Sequence, residues 1–158
     1  MKVNFVCLGN ICRSPMAEFF MKKIIADAGL TDKISVESSG CHATGYTQIS
    51  SGTCFELAKN NIPFNPDRIS KKFNRADYQS CDYIIAMDKY NFSDLQEMTG
   101  GDPDKKIFLM MEFLGEKRDV EDPYITDDYT ATYKDVSRAC TALLNCLKDK
   151  KNLLSINQ

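Results

Sequence analysis

The chain has 158 residues, of which 43% are apolar and 27% charged, a length and composition that fit one ordinary globular domain. The formal net charge of −2 excludes the broad basic surface of a nucleic-acid-binding protein, so any bound anion must be held by a local positive field. No apolar run has the length of a secretory signal core or approaches the ~20 residues of a membrane span, so we expect a cytoplasmic protein that does not bind membranes.

The chain is predicted to open as a strand, a tight loop and a helix. Residues 2–7 form a short apolar run that is typical of a buried strand. Ser14 and Pro15 predict a helix start, because a serine hydroxyl accepts backbone N–H bonds and proline suits the first turn. Apolar residues then recur at helical spacing over residues 16–28, and Gly29 ends the run.

Strands and helices are predicted to alternate along the middle of the chain. Residues 34–37 form a candidate second strand, and residues 50–60 a second helix. Two prolines make residues 62–68 an extended loop. Residues 82–87 are apolar almost throughout, as expected of a strand buried on both faces, and a short helix is predicted over residues 91–98.

The last predicted elements are a fourth strand over residues 106–111 and a helix over residues 133–147, with fraying expected from Asn152. Strands that alternate with helices indicate an α/β fold. We therefore predict one domain over residues 1–158, a four-stranded parallel sheet flanked by helices on both faces. Ligands of such sheets bind beyond the carboxyl ends of the strands, and the loop of residues 7–14 lies at such an end.

Seven cysteines are scattered along the chain, and their odd number argues against a disulfide framework. No cysteine pair has the two-residue spacing of a zinc site, and His42 is the only histidine, so we predict no metal and no cofactor.

The loop between the first strand and the first helix combines a nucleophile with an anion-binding backbone. Successive N–H groups in such a loop can surround an anion, and the helix N-terminus adds positive potential. Gly9 permits backbone conformations that most residues avoid, and Arg13 offers a planar fork of donors for phosphate oxygens. The same field would stabilise a thiolate at Cys7. The loop is therefore suited both to hold a phosphate dianion and to attack it.

The segment from Cys7 to Glu18 closely resembles the signature of the low-molecular-weight protein tyrosine phosphatases. It comprises Cys-Leu-Gly-Asn-Ile-Cys-Arg-Ser-Pro followed by Met-Ala-Glu. Residues 37–40, 82–88 and 121–124 are similar to three further segments of that family, in the same order along the chain. The resemblance covers most of the chain and implies a four-stranded parallel sheet, in agreement with the pattern.

The resemblance implies a reaction and assigns its residues. The Cys7 thiolate attacks phosphorus, Arg13 clamps the phosphoryl oxygens, and Asp122 acts as general acid and then as general base. The substrate is a phosphotyrosine protein or a small aryl phosphate, and phosphate is the product. The expected phosphate-binding residues are Leu8, Gly9, Asn10, Ile11, Cys12, Arg13 and Ser14.

The resemblance also implies supporting roles around the loop. Asn10, Ser14 and Ser38 are expected to form a network that keeps the loop in shape, and Ser14 to donate to the Cys7 thiolate while capping the helix. A second cysteine in the loop, Cys12, is expected to form a reversible disulfide with the nucleophile, which protects it from irreversible oxidation.

Around the pocket, the chain departs from the family pattern. Tyr124 is expected to form one pocket wall, but Ile125 replaces the usual second aromatic residue, which argues against a tandem-tyrosine regulatory site. The stretch of residues 41–46 is shortened, so the opposite wall, and with it the substrate preference, stays open. Asp67, beside Arg68, stands where the family often has a histidine, so the support network is expected to differ.

Three alternative functions are weighed against this assignment. An arsenate reductase of the same fold would need two more cysteines near the end of the third strand, but no cysteine follows it before Cys140. An arginine-phosphate phosphatase would carry a small polar residue in place of Ile11. A non-catalytic phosphopeptide-binding module would not need a nucleophile and a general acid, so the presence of Cys7, Arg13 and Asp122 together argues against it. The sequence leaves the physiological substrate and the oligomeric state open.

Overall fold

The computed structural model describes the backbone of residues 1–156 and the side chains of residues 1–150. Its centre is a four-stranded, all-parallel sheet with the strand order β2-β1-β3-β4, which confirms the predicted fold class. The strands are β1 (Lys2–Cys7), β2 (Ser35–Gly40), β3 (Tyr83–Ala86) and β4 (Ile107–Leu109).

Helices connect the strands and complete the chain. They are α1 (Arg13–Asp27), α2 (Ser51–Lys59), α3 (Arg75–Ser80), α4 (Lys89–Thr99), a 3-10 helix (Met110–Leu114), α5 (Pro123–Thr126) and α6 (Tyr129–Ile156). The fraying expected from Asn152 concerns residues whose side chains lie outside those that the structure describes. No helix within the described residues is long and apolar enough to cross a membrane.

Alternation along the buried strands produces two hydrophobic cores, one on each face of the sheet. Phe5 and Ile85 belong to the larger core, which packs against α1 and α6. Val6 and Ile84 belong to the smaller core, which α3 and α4 cover through residues such as Leu95. Both faces are therefore buried, which explains the continuous apolar runs of β1 and β3.

The largest difference from the sequence prediction is helix α3, which the prediction missed. It has only six residues and no helical apolar period. The sequence feature that marks its start is a capping box. The Asn74 side chain accepts a hydrogen bond from the Asp77 backbone N–H, and the Asp77 side chain accepts one from the Asn74 backbone N–H. The predicted fourth strand is also too long, because its last two residues, Met110 and Met111, belong to the 3-10 helix.

The sheet brings the carboxyl ends of three strands to one edge. Cys7 at the end of β1 pairs in register with Gly40 at the end of β2. Asp88 follows β3 at the same edge and caps α4 by accepting the Asn91 N–H. The loop after Cys7 thus lies between two other strand ends, which supply its neighbours.

Candidate active site

The Cys7 side chain lies under the loop that joins β1 to α1. Only 3% of the residue is exposed, and its Sγ lies 3.0 Å from the Ser14 hydroxyl oxygen. The Asn10 backbone N–H donates to the same sulfur at 3.3 Å. One N–H donor therefore points at the sulfur, and a hydroxyl that can act as a second donor lies beside it.

The structure separates the two roles predicted for Ser14. The capping role is wrong, because α1 begins at Arg13 with Cys12 as its N-cap and no side-chain cap bond, which places Ser14 inside the first turn. The Ser14 hydroxyl instead accepts from the Asn10 amide at 2.8 Å and lies 3.2 Å from the Ser39 carbonyl oxygen. Its single proton can point at that carbonyl or at the Cys7 sulfur, so ionisation of the thiol draws it toward the sulfur.

Asn10 fixes the shape of the loop. Its φ of 58° is left-handed, a conformation that asparagine tolerates better than most residues. Its side-chain nitrogen donates to Ser14 and, at 3.0 Å, to Ser38, while its side-chain oxygen accepts from the Lys71 backbone at 2.9 Å. Hydrogen bonds from Asn10 thus join Ser14 and Ser38.

Arg68 and Glu18 belong to this network, and the sequence prediction did not include them as site residues. Arg68 donates to the Asn10 side-chain oxygen at 2.9 Å and to the Ser38 hydroxyl at 2.6 Å. The Glu18 carboxylate accepts from Ser38 at 2.6 Å and from Arg68 at 3.2 Å. The expectation that the network differs beside Asp67 identified the correct neighbourhood, but the residue that enters it is Arg68.

Arg13 is held from the side of β3 and from the loop before α5. Its guanidinium donates to Asp88 at 2.7 Å and to the Val120 carbonyl at 2.9 Å, and lies 3.5 Å from an Asp122 oxygen. The side chain is only 3% exposed, so its orientation is fixed by these contacts. Asp88, which is 13% exposed, is a further site residue that the prediction had placed only in a strand motif.

Asp122 and Tyr124 project from the beginning of α5. Asp122 is the N-cap of this helix, and its Oδ1 accepts the Tyr124 backbone N–H at 3.0 Å. The other carboxylate oxygen faces Arg13. This geometry leaves one oxygen of Asp122 beside the Arg13 guanidinium, at the mouth of the loop.

These side chains enclose one cavity of about 160 Å³. Its lining consists of Cys7, Leu8, Gly9, Ile11, Cys12, Arg13, Asp122 and Tyr124. Asn10 and Ser14 lie behind it, both completely buried. A cavity lined by two thiols, one guanidinium and one carboxylate, and bordered by a tyrosine, can bind a phosphoryl group attached to a ring.

Cys12 lines this cavity but interacts away from Cys7. Its Sγ donates to the Ser50 hydroxyl at 3.3 Å and lies 3.7 Å from the Tyr129 hydroxyl. Burial is the main cause that raises the pKa of the Cys12 thiol above its ordinary value. Both loop cysteines are free thiols, so the redox pairing stays a prediction.

The shortened stretch of residues 41–46 contributes no side chain to the cavity. His42 lies on the surface, 3.0 Å from Asp94, and Tyr46 is 78% exposed. Ile11 and Leu8 from the loop itself provide apolar lining. Within the described residues, no group of three or more histidine, cysteine, aspartate or glutamate side chains is arranged to hold a metal ion.

Comparisons with known proteins agree with this geometry. The family model for "Low molecular weight phosphotyrosine protein phosphatase" matches residues 2–153. The low molecular weight protein-tyrosine-phosphatase PtpA of Staphylococcus haemolyticus is 38% identical over 156 residues, and that of Staphylococcus saprophyticus is 39% identical over 158 residues; each match covers 96% of both chains.

Solved structures show the same fold. YfkJ from Bacillus subtilis superposes with a TM-score of 0.91 at 32% identity and covers 96% of both chains. The low molecular weight protein tyrosine phosphatase SP-PTP from Streptococcus pyogenes has a TM-score of 0.84 at 40% identity, again over 96% of both chains.

Proposed function

The chain belongs to the low molecular weight phosphotyrosine protein phosphatase family, and from this premise we propose that Cys7, Arg13 and Asp122 carry its hydrolytic reaction. The enzyme is a protein tyrosine phosphatase, with a phosphoprotein as substrate and phosphate as product. The observation that supports the residue assignment best is the single cavity that contains the sulfur, the guanidinium and the carboxylate.

In the first step, the Cys7 thiolate attacks phosphorus and the bond from phosphorus to the phenolic oxygen breaks. Asp122 transfers its proton to the departing oxygen, so the tyrosine leaves as a neutral phenol. Arg13 and the N–H groups of the loop from Leu8 to Ser14 hold the equatorial oxygens; the Asn10 N–H serves the sulfur instead. The product of this step is a cysteinyl-phosphate.

In the second step, water attacks the cysteinyl-phosphate and Asp122 takes its proton. The sulfur–phosphorus bond breaks, phosphate is released and the Cys7 thiolate forms again. The Ser14 hydroxyl, 3.0 Å from the sulfur, stabilises that thiolate as leaving group by donating a hydrogen bond to it, while the proton stays on Ser14. Each group returns to its starting protonation state.

Two observations favour an aryl phosphate as substrate over an arginine phosphate or arsenate. Ile11 and Tyr124 line the cavity and provide apolar contacts for a phenyl ring rather than for a guanidinium. A disulfide relay of the arsenate reductase kind lacks its cysteines, because Asp88 and α4 follow β3 while Cys140 is completely buried in α6.

We also propose that the protein works in the cytoplasm, with Cys12 as a redox partner of Cys7. All seven cysteines are free, which fits a reducing compartment. A reducing compartment also keeps a catalytic thiol available, because oxidation removes the nucleophile.

The nucleophile assignment is tested with Cys7→Ser, for which we expect turnover of p-nitrophenyl phosphate to fall by at least about 10³-fold, since a serine hydroxyl is far less ionised than a thiol. Rapid acid quenching of the wild type with ³²P-labelled substrate should trap one phosphate per chain on Cys7. Cys146→Ser, a change to a half-buried thiol on α6, is the matched control. Full turnover by Cys7→Ser would exclude the nucleophile.

The acid assignment is tested with Asp122→Asn, which keeps an oxygen for the Tyr124 N–H but carries no proton to transfer. We expect kcat to fall about 10²- to 10³-fold for phenyl phosphate, and much less for p-nitrophenyl phosphate, whose leaving group needs no proton. Equal losses for the two esters would contradict general acid catalysis by Asp122.

A further inference from the structure

A second cleft, which we call the flanking cleft, lies beside the catalytic cavity. It lies between the first turn of α4 and residues 119–126, and has a volume of about 490 Å³. Leu8, Arg13 and Asp122 line both the catalytic cavity and the flanking cleft. A peptide whose phosphotyrosine enters the catalytic cavity therefore has a neighbouring residue within reach of this cleft.

The flanking cleft has an excess of negative charge. Its arginine, Arg13, is neutralised by Asp88 and lies against Asp122. Asp119 and Glu121 also line the cleft, and neither forms an ion pair within the described residues. The Asp119 carboxylate accepts only the Lys89 backbone N–H, at 3.0 Å, whereas the Lys89 ammonium lies over the Tyr90 ring. Two carboxylates thus remain without a cation.

The walls of the flanking cleft are apolar and exposed. Tyr90 is 69% exposed, Ile125 is 82% exposed and Leu8 is 48% exposed. Large apolar side chains that gather at one cleft next to a catalytic site are a sign of a contact surface. Such walls suit the alkyl stem of a long side chain.

We propose that the flanking cleft binds a lysine or arginine side chain adjacent to the phosphotyrosine of the substrate protein. The methylene stem of that side chain packs on Leu8, Tyr90 and Ile125, and its charged head reaches Asp119 and Glu121. An acidic neighbour would meet these two carboxylates and be repelled. This inference rests on the proposed function, because it requires a phosphotyrosine in the catalytic cavity.

The test uses phosphotyrosine peptides with lysine, norleucine or glutamate at one position from −2 to +2, measured by kcat/KM. Norleucine has the same stem as lysine without the charge. At low ionic strength we expect lysine to exceed norleucine about three- to tenfold at one or more positions, with glutamate lowest. The preference should shrink as salt is added, since the carboxylates are partly exposed.

Variants locate the preference in the flanking cleft. In Glu121→Gln and Asp119→Asn, the kcat/KM for the lysine peptide divided by that for the norleucine peptide should fall toward one. Because both values come from the same protein, this ratio is independent of any general loss of activity. Asp119→Asn keeps an oxygen for the Lys89 N–H. Asp32→Asn removes one exposed charge before β2, at the opposite edge of the sheet, and should retain the wild-type ratio.

Each result decides the question. Hydrolysis of every peptide with no lysine preference, or a preference that survives in both cleft variants, overturns the inference and leaves the proposed function intact. A preference that Asp32→Asn reduces equally also overturns it, because the effect would then come from net charge. No hydrolysis of any phosphotyrosine peptide overturns the inference and the proposed function together.

Discussion

Asn10 combines a left-handed backbone with five side-chain or carbonyl contacts, and three of its partners lie far away in the sequence. Ser38 is 28 residues away, Arg68 is 58 residues away and Lys71 is 61 residues away. A left-handed non-glycine residue costs free energy unless its surroundings determine it. Here the partners supply that constraint and aim the Asn10 N–H at the Cys7 sulfur.

Substitution of Arg68 tests whether these partners hold the Asn10 loop in its conformation. Arg68→Ala removes the donors to Asn10 and Ser38 and leaves Glu18 buried without its arginine. We expect kcat to fall about 10- to 100-fold, because the loop no longer holds the sulfur and the N–H groups in one geometry. KM should change less than kcat, since Arg68 does not line the cavity.

Arg68→Lys serves as the matched variant for a positioning role. Lysine keeps the charge opposite Glu18 but cannot bridge Asn10 and Ser38 with a planar fork. We expect it to restore most of the thermal stability and only part of kcat. If kcat and stability recover to the same extent in Arg68→Lys, the residue has a purely structural role.

At the scale of elements, the end of β2 supports the catalytic loop from below. Gly40 pairs with Cys7, and a methyl group at its Cα would lie 2.7 Å from the Leu8 carbonyl oxygen and 2.8 Å from the Asn10 nitrogen. Those neighbours are backbone atoms, which cannot move aside as a flexible side chain can. The glycine is therefore needed for the close approach of two backbones.

Gly40→Ala should displace the loop without unfolding the sheet. We expect kcat for p-nitrophenyl phosphate to fall at least about 10²-fold, because a displacement near 1 Å misplaces the N–H groups around the phosphoryl oxygens. The measurement is steady-state kinetics together with a thermal melt.

Gly115→Ala is the control for this substitution. Gly115 ends the 3-10 helix with a φ of 69° and has no atom within 4 Å of the added methyl. We expect only the strain of a left-handed alanine, about 1 kcal/mol of stability, with kcat unchanged. An active Gly40→Ala enzyme would show that the loop does not require the close contact.

At the scale of the whole molecule, burial decides the protonation state of three thiols outside the catalytic loop. Burial raises the pKa of Cys41 to about 12 and that of Cys81 to about 11, and it raises the pKa of Cys140 as well. These thiols stay protonated at neutral pH and are poor nucleophiles. The fold therefore distinguishes Cys7, which lines the cavity beside the Asn10 N–H and the Ser14 hydroxyl, from these buried cysteines.

Raised thiol pKa values predict a loss of stability in alkali. Below about pH 8.5, both the folded and the unfolded chain keep these thiol protons. Above that pH the unfolded chain loses them first, so the free energy of unfolding falls as the pH rises. The fall ends when the folded thiols ionise, near pH 11 to 12. Each retained proton contributes a slope of about 1.4 kcal/mol per pH unit.

Urea unfolding between pH 8 and pH 11, in a reducing buffer, measures this slope. In Cys41→Ala the slope should be smaller by about one proton, since alanine has no proton to lose. An identical slope in the wild type and the variant would show that Cys41 does not carry the alkaline sensitivity.

The sequence by itself determined the fold class, and it predicted a site centred on one loop. Short apolar runs and apolar periods of three to four residues are local properties, and they predicted the strands and the long helices because burial acts on them directly. Cys7, Arg13 and Ser14 lie within one strand-loop-helix segment, so their proximity also followed from the chain order.

Only the tertiary structure decided which distant groups complete the site. Asp88 is 75 residues from Arg13 and Arg68 is 58 residues from Asn10, and no local period connects such partners. They meet because a parallel sheet brings the ends of separate strands to one edge, where β2 and β3 deliver their following residues to the loop after β1. The flanking cleft has the same origin, because α4 and the loop before α5 converge only in the folded chain.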